Sequence, residues 1–335
     1  TSAPPVLASI LASARPDEGD HEAARALCEA QRAVVIVGEH ANRAGNASLL
    51  RALSRLIATS VNAAYNVLPA GSNGVGLTQA GVAPSRNGAN AADQIAQPRP
   101  VYVLYNAETL DFAEPAAAER VLASAKTIAF AAYADEAVKR VADIILPIGL
   151  LPEIDATIIN VNGDLQRVAP GAKLQGDARP GWRVLRVLGE LLGAPGFDYT
   201  DIASLRDSLT LSLPTAEDRI VAVNRQGIAR EGFERINTLP IYRVDAVVRR
   251  SPALQATPLS VAAAVSMHPD QARSAGAGLQ NGHRVRVHHD GGDSIELPLR
   301  HDETIPHGAV RIEAGFDETR VLPACGRIRI EGAMS

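Results

Sequence analysis

Two cysteines, eight histidines and one glycine-rich loop are the features of this 335-residue sequence with chemical potential. Cys28 and Cys325 stand far apart, with no CxxC and no Cys/His cluster around either. A cubane or two-iron cluster needs four protein ligands, mostly thiolates. The chain therefore lacks the ligands for a conventional iron–sulfur centre. Cys28 follows Leu27 in a helical pattern and reads as a small core filler. A Cys28–Cys325 disulfide is the alternative, disfavoured in a reducing compartment. Six histidines fall at 268, 283, 288, 289, 301 and 307. A metal site among them is conceivable, but His288 and His289 are neighbours on a strand and point to opposite faces. The six read as ordinary surface histidines. No catalytic residue and no metal ligand is assigned.

One strand-to-helix loop invites a ligand, and a second loop is rich in glycine. Gly38-Glu39-His40-Ala41-Asn42-Arg43-Ala44-Gly45 follows an apolar run, and phosphates bind where helix N-termini present unpaired N–H groups. The loop matches neither GxGxxG nor GxxxxGK[ST] and reads as an ordinary turn. Pro69–Gly81 (PAGSNGVGLTQAG) sets Gly71, Gly74 and Gly76 around Asn73, a flexible, turn-rich loop.

The elements that would position these residues alternate regularly. Helices are expected at Asp20–Arg32, Ala47–Thr59 (Asn46 as N-cap; Leu49, Leu50, Leu53, Leu56 and Ile57 as buried face), Pro115–Ser124 and Glu136–Val141. Strands are expected at Ala33–Val37, Ala63–Leu68, Val101–Tyr105, Thr127–Ala131 and Asp143–Pro147. Val82–Arg99 reads as an irregular surface excursion. This alternation is the grammar of an α/β fold with a doubly wound, mainly parallel sheet.

Asp143–Leu192 is the best-defined stretch. Asp143–Pro147 reads as a strand covered on both faces. Thr157–Val161 and Leu165–Val168 flank Asn162-Gly163, the pair suited to a type I′ hairpin turn. In Arg179–Leu192, Trp182, Leu185, Leu188 and Leu192 share one helical face. Beyond Gly193 the periodicity weakens, with short helical pieces at Ile202–Leu209 and Glu217–Val223. From Leu259 the composition becomes β-like, and Arg284–Val287 and Arg327–Ile330 alternate as half-buried strands do. The expected domains are 1–195 (α/β with return hairpin and helix), 196–258 (linker or small subdomain) and 259–335 (a smaller β-barrel-like domain).

Composition bounds the function. Hydrophobic content of 46% can build a core, and a net charge of −4 gives no footprint for nucleic acid. No run approaches the ~20 apolar residues of a membrane span. The opening residues lack a basic n-region and a starting Met, so a fragment of a longer polypeptide is expected, whether Thr1 is a proteolytic or an engineered start.

The order strand, hairpin, helix resembles the molybdopterin-oxidoreductase superfamily. The residues that carry it are Ala142-Asp143-Ile144-Ile145-Leu146-Pro147, Asp155–Gln166 and Gly176–Leu185. GDARPGWRVLRVLGELLG and Pro240–Thr257 (PIYRVDAVVRRSPALQAT) resemble more narrowly the large iron–sulfur subunit of NADH-quinone oxidoreductase, respiratory complex I. Two departures matter: the family's Glu-Gly-Thr is Asp155-Ala156-Thr157, and its Asn-x-Glu-Gly-Arg is Asn160-Val161-Asn162-Gly163-Asp164. No pterin contact is transferred to them.

The resemblance implies a scaffold portion, redox-silent by itself, of a subunit whose 4Fe-4S and 2Fe-2S clusters lie upstream. It implies other peripheral-arm subunits as partners, no membrane insertion, and a place on the cytoplasmic side of a bacterial inner membrane. Pro69–Gly81 resembles a family loop near the cofactor cleft, which makes Gly71, Asn73, Gly74 and Gly76 candidates for a vestigial cleft. A loop between strands is the plainer reading. Arg249 and Arg250 grip a carboxylate or a partner, or form a solvated pair. Two other functions stand beside this one: a fragment of a molybdopterin-dependent enzyme such as a formate dehydrogenase, and a stand-alone small-molecule-binding α/β protein.

Overall fold

The computed structural model describes residues 15–69, 71–82, 84, 88–212, 232–275, 279–289 and 294–332. Two compact units divide the chain: Thr1–Ala70 with Thr215–Ala229, and Gly71–Pro214 with Arg230–Ser335. The helical piece expected at Glu217–Val223 lies outside the described residues.

In the first unit, helix α1 (Glu18–Glu29) opens on a reciprocal cap in which Asp17 and Asp20 each accept the other's backbone N–H. None of its residues is buried, and Cys28 is an exposed free thiol, which corrects the core-filler reading. The sequence EGDHEAARALCE offers only Leu27 and Cys28 as sizeable apolar groups, too narrow a stripe to cover. Strand β1 (Val34–Val37) pairs in parallel with β2 (Ala64–Val67). Helices α2 (Glu39–Arg43) and α3 (Ala47–Ser60) connect them. Asn46 precedes α3 as expected but makes no side-chain cap. Leu49, Ala52 and Ala58 are buried there, whereas Ile57 is exposed. Small alanines thus extend the packed face where larger side chains were expected.

The second unit begins with α4 (Gly74–Gln79) and α5 (Ala91–Ala96), the latter capped by Asn90 inside the stretch read as irregular. Strands β3 (Val101–Tyr105), β4 (Lys126–Ala131) and β5 (Ile144–Pro147) form a parallel sheet in that order. Helices α6 (Pro115–Ala123) and α7 (Glu136–Val141) make the crossovers. The core of this layer joins Tyr102, Leu104, Ala118, Leu122, Ala129, Val138 and Val141. β3 alternates strictly, with Val101, Val103 and Tyr105 exposed on the opposite face. β5 is an edge strand with Ile144 exposed, so the expectation of cover on both faces fails there.

The hairpin forms, pairing β6 (Ala156–Ile159) with β7 (Leu165–Val168). Its turn is wider than type I′. Gly163 alone of the two turn residues has positive φ, at 91°. Asn160 organises the loop: its side-chain oxygen accepts from the N–H groups of Asn162 and Asp164. That local bonding outcompetes the two-residue turn. Helix α8 (Gly181–Leu191) follows. Trp182, Leu185 and Leu188 are half-buried, but Leu192 is exposed at the C-cap. Gly181 and Gly189 are the buried positions. A Cβ on Gly181 would sit 2.0 Å from Tyr105 Oη, so a larger residue there would have to displace the Tyr105 ring. Helix α9 (Ile202–Ser208) comes next.

The C-terminal region closes into a six-stranded barrel: β8 (Phe233–Ile236), β9 (Val265–Met267), β10 (Arg284–His289), β11 (Ser294–His301), β12 (Ala309–Ile312) and β13 (Arg327–Gly332). Around the wall the order is β10-β11-β9-β12-β8-β13, and β13 pairs back onto β10. β8 comes from the stretch 196–258, where weak periodicity suggested no strand. Inside lie Val265, Met267, Val285, Val287, Leu299, Val310, Ile312 and Ile328. Arg235 is buried in β8, and its terminal guanidinium nitrogens donate to the carbonyls of Ile312, Leu322 and Pro323.

Candidate functional site

Open α/β sheets receive ligands at the carboxyl ends of their strands. Beyond β3 the chain passes Asn106, whose φ of 49° turns it back towards β4, and its N–H meets the Phe130 carbonyl at 2.7 Å. A short 3-10 turn, Thr109–Asp111, then presents Glu108 and Asp111. Beyond β4, Tyr133 and Asp135 lead into α7, with Asp135 capping it through the Val138 N–H.

Into this strand end reach Arg249 and Arg250. Helix α10 (Ala246–Arg249) exists because Asp245 caps it, accepting from Val247 and Val248, and the short α11 (Pro252–Gln255) follows it. Arg249 meets Glu108 at 2.9 Å, pairs with Asp111, and donates Nε–H to the Arg243 carbonyl at 2.9 Å. Arg250 meets the other Glu108 oxygen at 2.8 Å and pairs with Asp135, its guanidinium 4.7 Å from the Tyr133 ring centre. The Arg249 side chain is 6% exposed and that of Glu108 11%. Of the readings left open for this pair, the intrachain grip is what the fold contains. Burial works to raise the Asp135 carboxyl, but the Val138 amide and Arg250 outweigh it and hold it below the ordinary value. For Arg250, burial works to lower its pKa, but Glu108 and Asp135 outweigh it and push it up. Three carboxylates facing two guanidiniums leave one net negative charge, a poor seat for an anionic ligand. At the end of β5, Ile148 bridges to Arg179 and the Gly149 N–H meets the Arg179 carbonyl at 3.0 Å. The chain's own segments thus occupy the ends of all three strands.

The loop candidates lie elsewhere in this unit. Asn73 has φ 62° and accepts the Ile159 N–H at 2.9 Å, tying the loop to the hairpin. A Cβ on buried Gly76 would fall 2.1 Å from Asn73 Oδ1 and 3.3 Å from the Ile159 nitrogen. Gly76 therefore serves close packing. Gly71 has φ 82° in open space, and Gly74 opens α4. A cavity of about 300 Å³ borders Asn73 and Gly76, with Leu77, Ile159, Leu165 and Leu209 supplying much of its wall. Arg206, also at this wall, pairs with Asp155 and donates Nε–H to Thr157 at 2.8 Å. That guanidinium holds the Asp155 carboxyl below its ordinary range. A pterin dinucleotide brings two phosphates, which need several N–H donors or cations. This largely apolar cavity has two guanidiniums at its wall, Arg167 and the already engaged Arg206, too few donors for two phosphates, and does not fit such a group.

Sequence reasoning singled out Arg249 and Arg250 but missed Glu108, Asp111, Asp135 and Arg206. Acidic residues a few positions past β3 and β4 were the available signal. Of the six C-terminal histidines, His268 and His307 come together, ring centres 4.4 Å apart.

A parallel α/β layer with return hairpin and helix, followed by a barrel, places the chain in a class. The family model for molybdopterin oxidoreductase matches residues 17–191, and the chain belongs to that family. More particularly, it is 30% identical over 147 residues to the mitochondrial NADH-ubiquinone oxidoreductase 78 kDa subunit of Neurospora crassa, covering 43% of this chain and 18% of that protein. It is 26% identical over 129 residues to the mitochondrial NADH dehydrogenase (ubiquinone) iron-sulfur protein 1 of Solanum tuberosum, covering 36% and 17%. The chain thus spans less than a fifth of either relative's length. Among solved structures, acetylene hydratase from Pelobacter acetylenicus aligns with a TM-score of 0.49 at 16% identity, over 70% of this chain and 42% of that one. Among the described residues, no helix is long and apolar enough to cross a membrane.

Proposed function

We propose that this chain is a scaffold portion of the large iron–sulfur subunit of a proton-pumping NADH-quinone oxidoreductase, holding neither pterin nor cluster itself. The observation that carries the reading is the strand end filled by Arg249 and Arg250 with Glu108, Asp111 and Asp135. A ligand-binding α/β sheet keeps that crevice open. Two cysteines far apart in the sequence are too few thiolates for a cluster, which supports this reading. Similarity to the two mitochondrial subunits supports the choice of complex. On this reading the α/β region is doubly wound, the partners are other peripheral-arm subunits, and the site of action is the cytoplasmic face of a bacterial inner membrane.

The test is composition of the purified complex containing this chain. Iron at cluster stoichiometry together with NADH oxidation, and no molybdenum, tungsten or pterin fluorescence, is the expected result. Stoichiometric metal-bearing pterin would overturn it in favour of a molybdenum enzyme of the formate dehydrogenase kind.

A further inference from the structure

We propose that His268, Asp270 and His307 form a binding site for a zinc ion on the barrel. One ligand atom from each lies within 4.8 Å of the others. The topology brings them together: β9 and β12 are antiparallel neighbours, with Ser266 opposite Arg311 and Val265 opposite Ile312. The residues just after β9 and just before β12 therefore share one end of the wall. His268 caps helix α12 (Pro269–Ser274), Asp270 sits in its first turn, and His307 lies in the approach to β12.

The two supporting segments are fixed to each other. Gln271, 6% exposed, donates to the Ala309 carbonyl at 3.0 Å and accepts the Gly308 N–H at 2.5 Å. The helix that carries Asp270 is thus clasped to the backbone beside His307, which preorganises the ligand set. The Asp270 N–H donates to His268 Nδ1 at 3.2 Å, which makes that nitrogen the acceptor in this contact. Its lone pair is the one a metal needs, and a cation would displace this weak contact. Asp270 Oδ2 lies 3.9 Å from the same nitrogen, while Arg273 pairs with the other oxygen, Oδ1.

Ligand chemistry selects the ion. Two imidazoles and one carboxylate favour a borderline metal such as zinc over the oxygen-seeking magnesium or calcium, and leave a fourth position for water. Bonds of about 2.0–2.1 Å put tetrahedral ligand atoms about 3.3 Å apart, so closure requires contraction by up to about 1.5 Å. Side-chain rotation of Asp270 and His307, both exposed, supplies that movement without shifting the clasped backbone. The ion would bridge the start of α12 to the loop before β12. Such a site is independent of the scaffold role proposed above.

Cobalt(II) serves as the spectroscopic probe, and zinc then competes it off. The expected result is one equivalent of cobalt with tetrahedral visible absorption, displaced by zinc. His307→Ala should weaken binding at least about tenfold while leaving the melting temperature in chelator unchanged, because the side chain is exposed. Asp270→Asn should weaken binding without abolishing the fold, and His288→Ala should bind as the parent does. Failure of the parent chain to take up one equivalent, binding unaltered by His307→Ala, or binding lost in His288→Ala would each overturn the site. His268→Ala is a poorer test, since it also removes the cap of α12.

Discussion

In the barrel, Val265, Met267, Val285, Leu299, Val310 and Ile312 are wholly screened from solvent. In the three-stranded parallel sheet, Val101 is 53% exposed, Val103 51% and Ile144 45%. The side chains are of the same kind, and the difference is topological. A closed barrel has no edge and converges every inward side chain on one interior. An open sheet has two faces, and helices α6 and α7 pack residues from only one of them into a core. The barrel's stability should reside in its lining. The sheet's integrity should lean on its ends, where the Arg249–Glu108–Arg250 cluster draws the loops after β3 and β4 against α10.

The comparison can be broken first in the barrel. Leu299→Ala should destabilise the chain by as much as about 5 kcal/mol, since it leaves a cavity in a tightly packed interior. Urea denaturation measures this, and a loss under about 1 kcal/mol would show a loosely filled barrel. Arg249→Ala should follow at about 3 kcal/mol, because Glu108 and Asp111 lose a buried partner. A negligible loss in the same assay would return Arg249 and Arg250 to the status of a solvated pair.

A smaller effect comes from pH. The Asp135 carboxyl is held below its ordinary value in the fold. Its stabilisation is complete above the unfolded value of about 3.9 and is lost as the pH falls through the lowered folded value. Acid denaturation of Asp135→Asn should therefore show a shallower loss of stability in that window than the parent does. Equal slopes would sever Arg250 from the stability of the sheet.

The smallest effect is expected at Val103→Thr, within about 0.5 kcal/mol because the position faces solvent. A loss above about 1 kcal/mol would mean that this face of β3 is covered in solution.

The parallel strands, the crossover helices, the hairpin and the β character of the C-terminal region were legible in the sequence, because period and proline or glycine punctuation act locally. β3 illustrates this: its alternation yields the strand and even which residues face inward. The turn at Asn162-Gly163 was misjudged because a side chain two residues away, Asn160, competes for the same backbone groups. β8 escaped notice because four residues, FERI, become a strand only when β12 and β13 flank them. At the candidate site, Arg249 and Arg250 stood out as a pair, but their partners lie 115 to 142 residues away, a distance local pattern cannot bridge.

What the sequence determined by itself is the inventory: two separated thiols, no nucleophile paired with a base, and a run of elements that must fold as α/β followed by β. What the tertiary structure alone decided is who meets whom. Glu108 serves two arginines, Gly76 serves packing, and His268 meets His307. The physical reason is that charge pairing and ligand convergence depend on distances in space of a few ångströms, which are set only when strands from distant parts of the chain lie side by side.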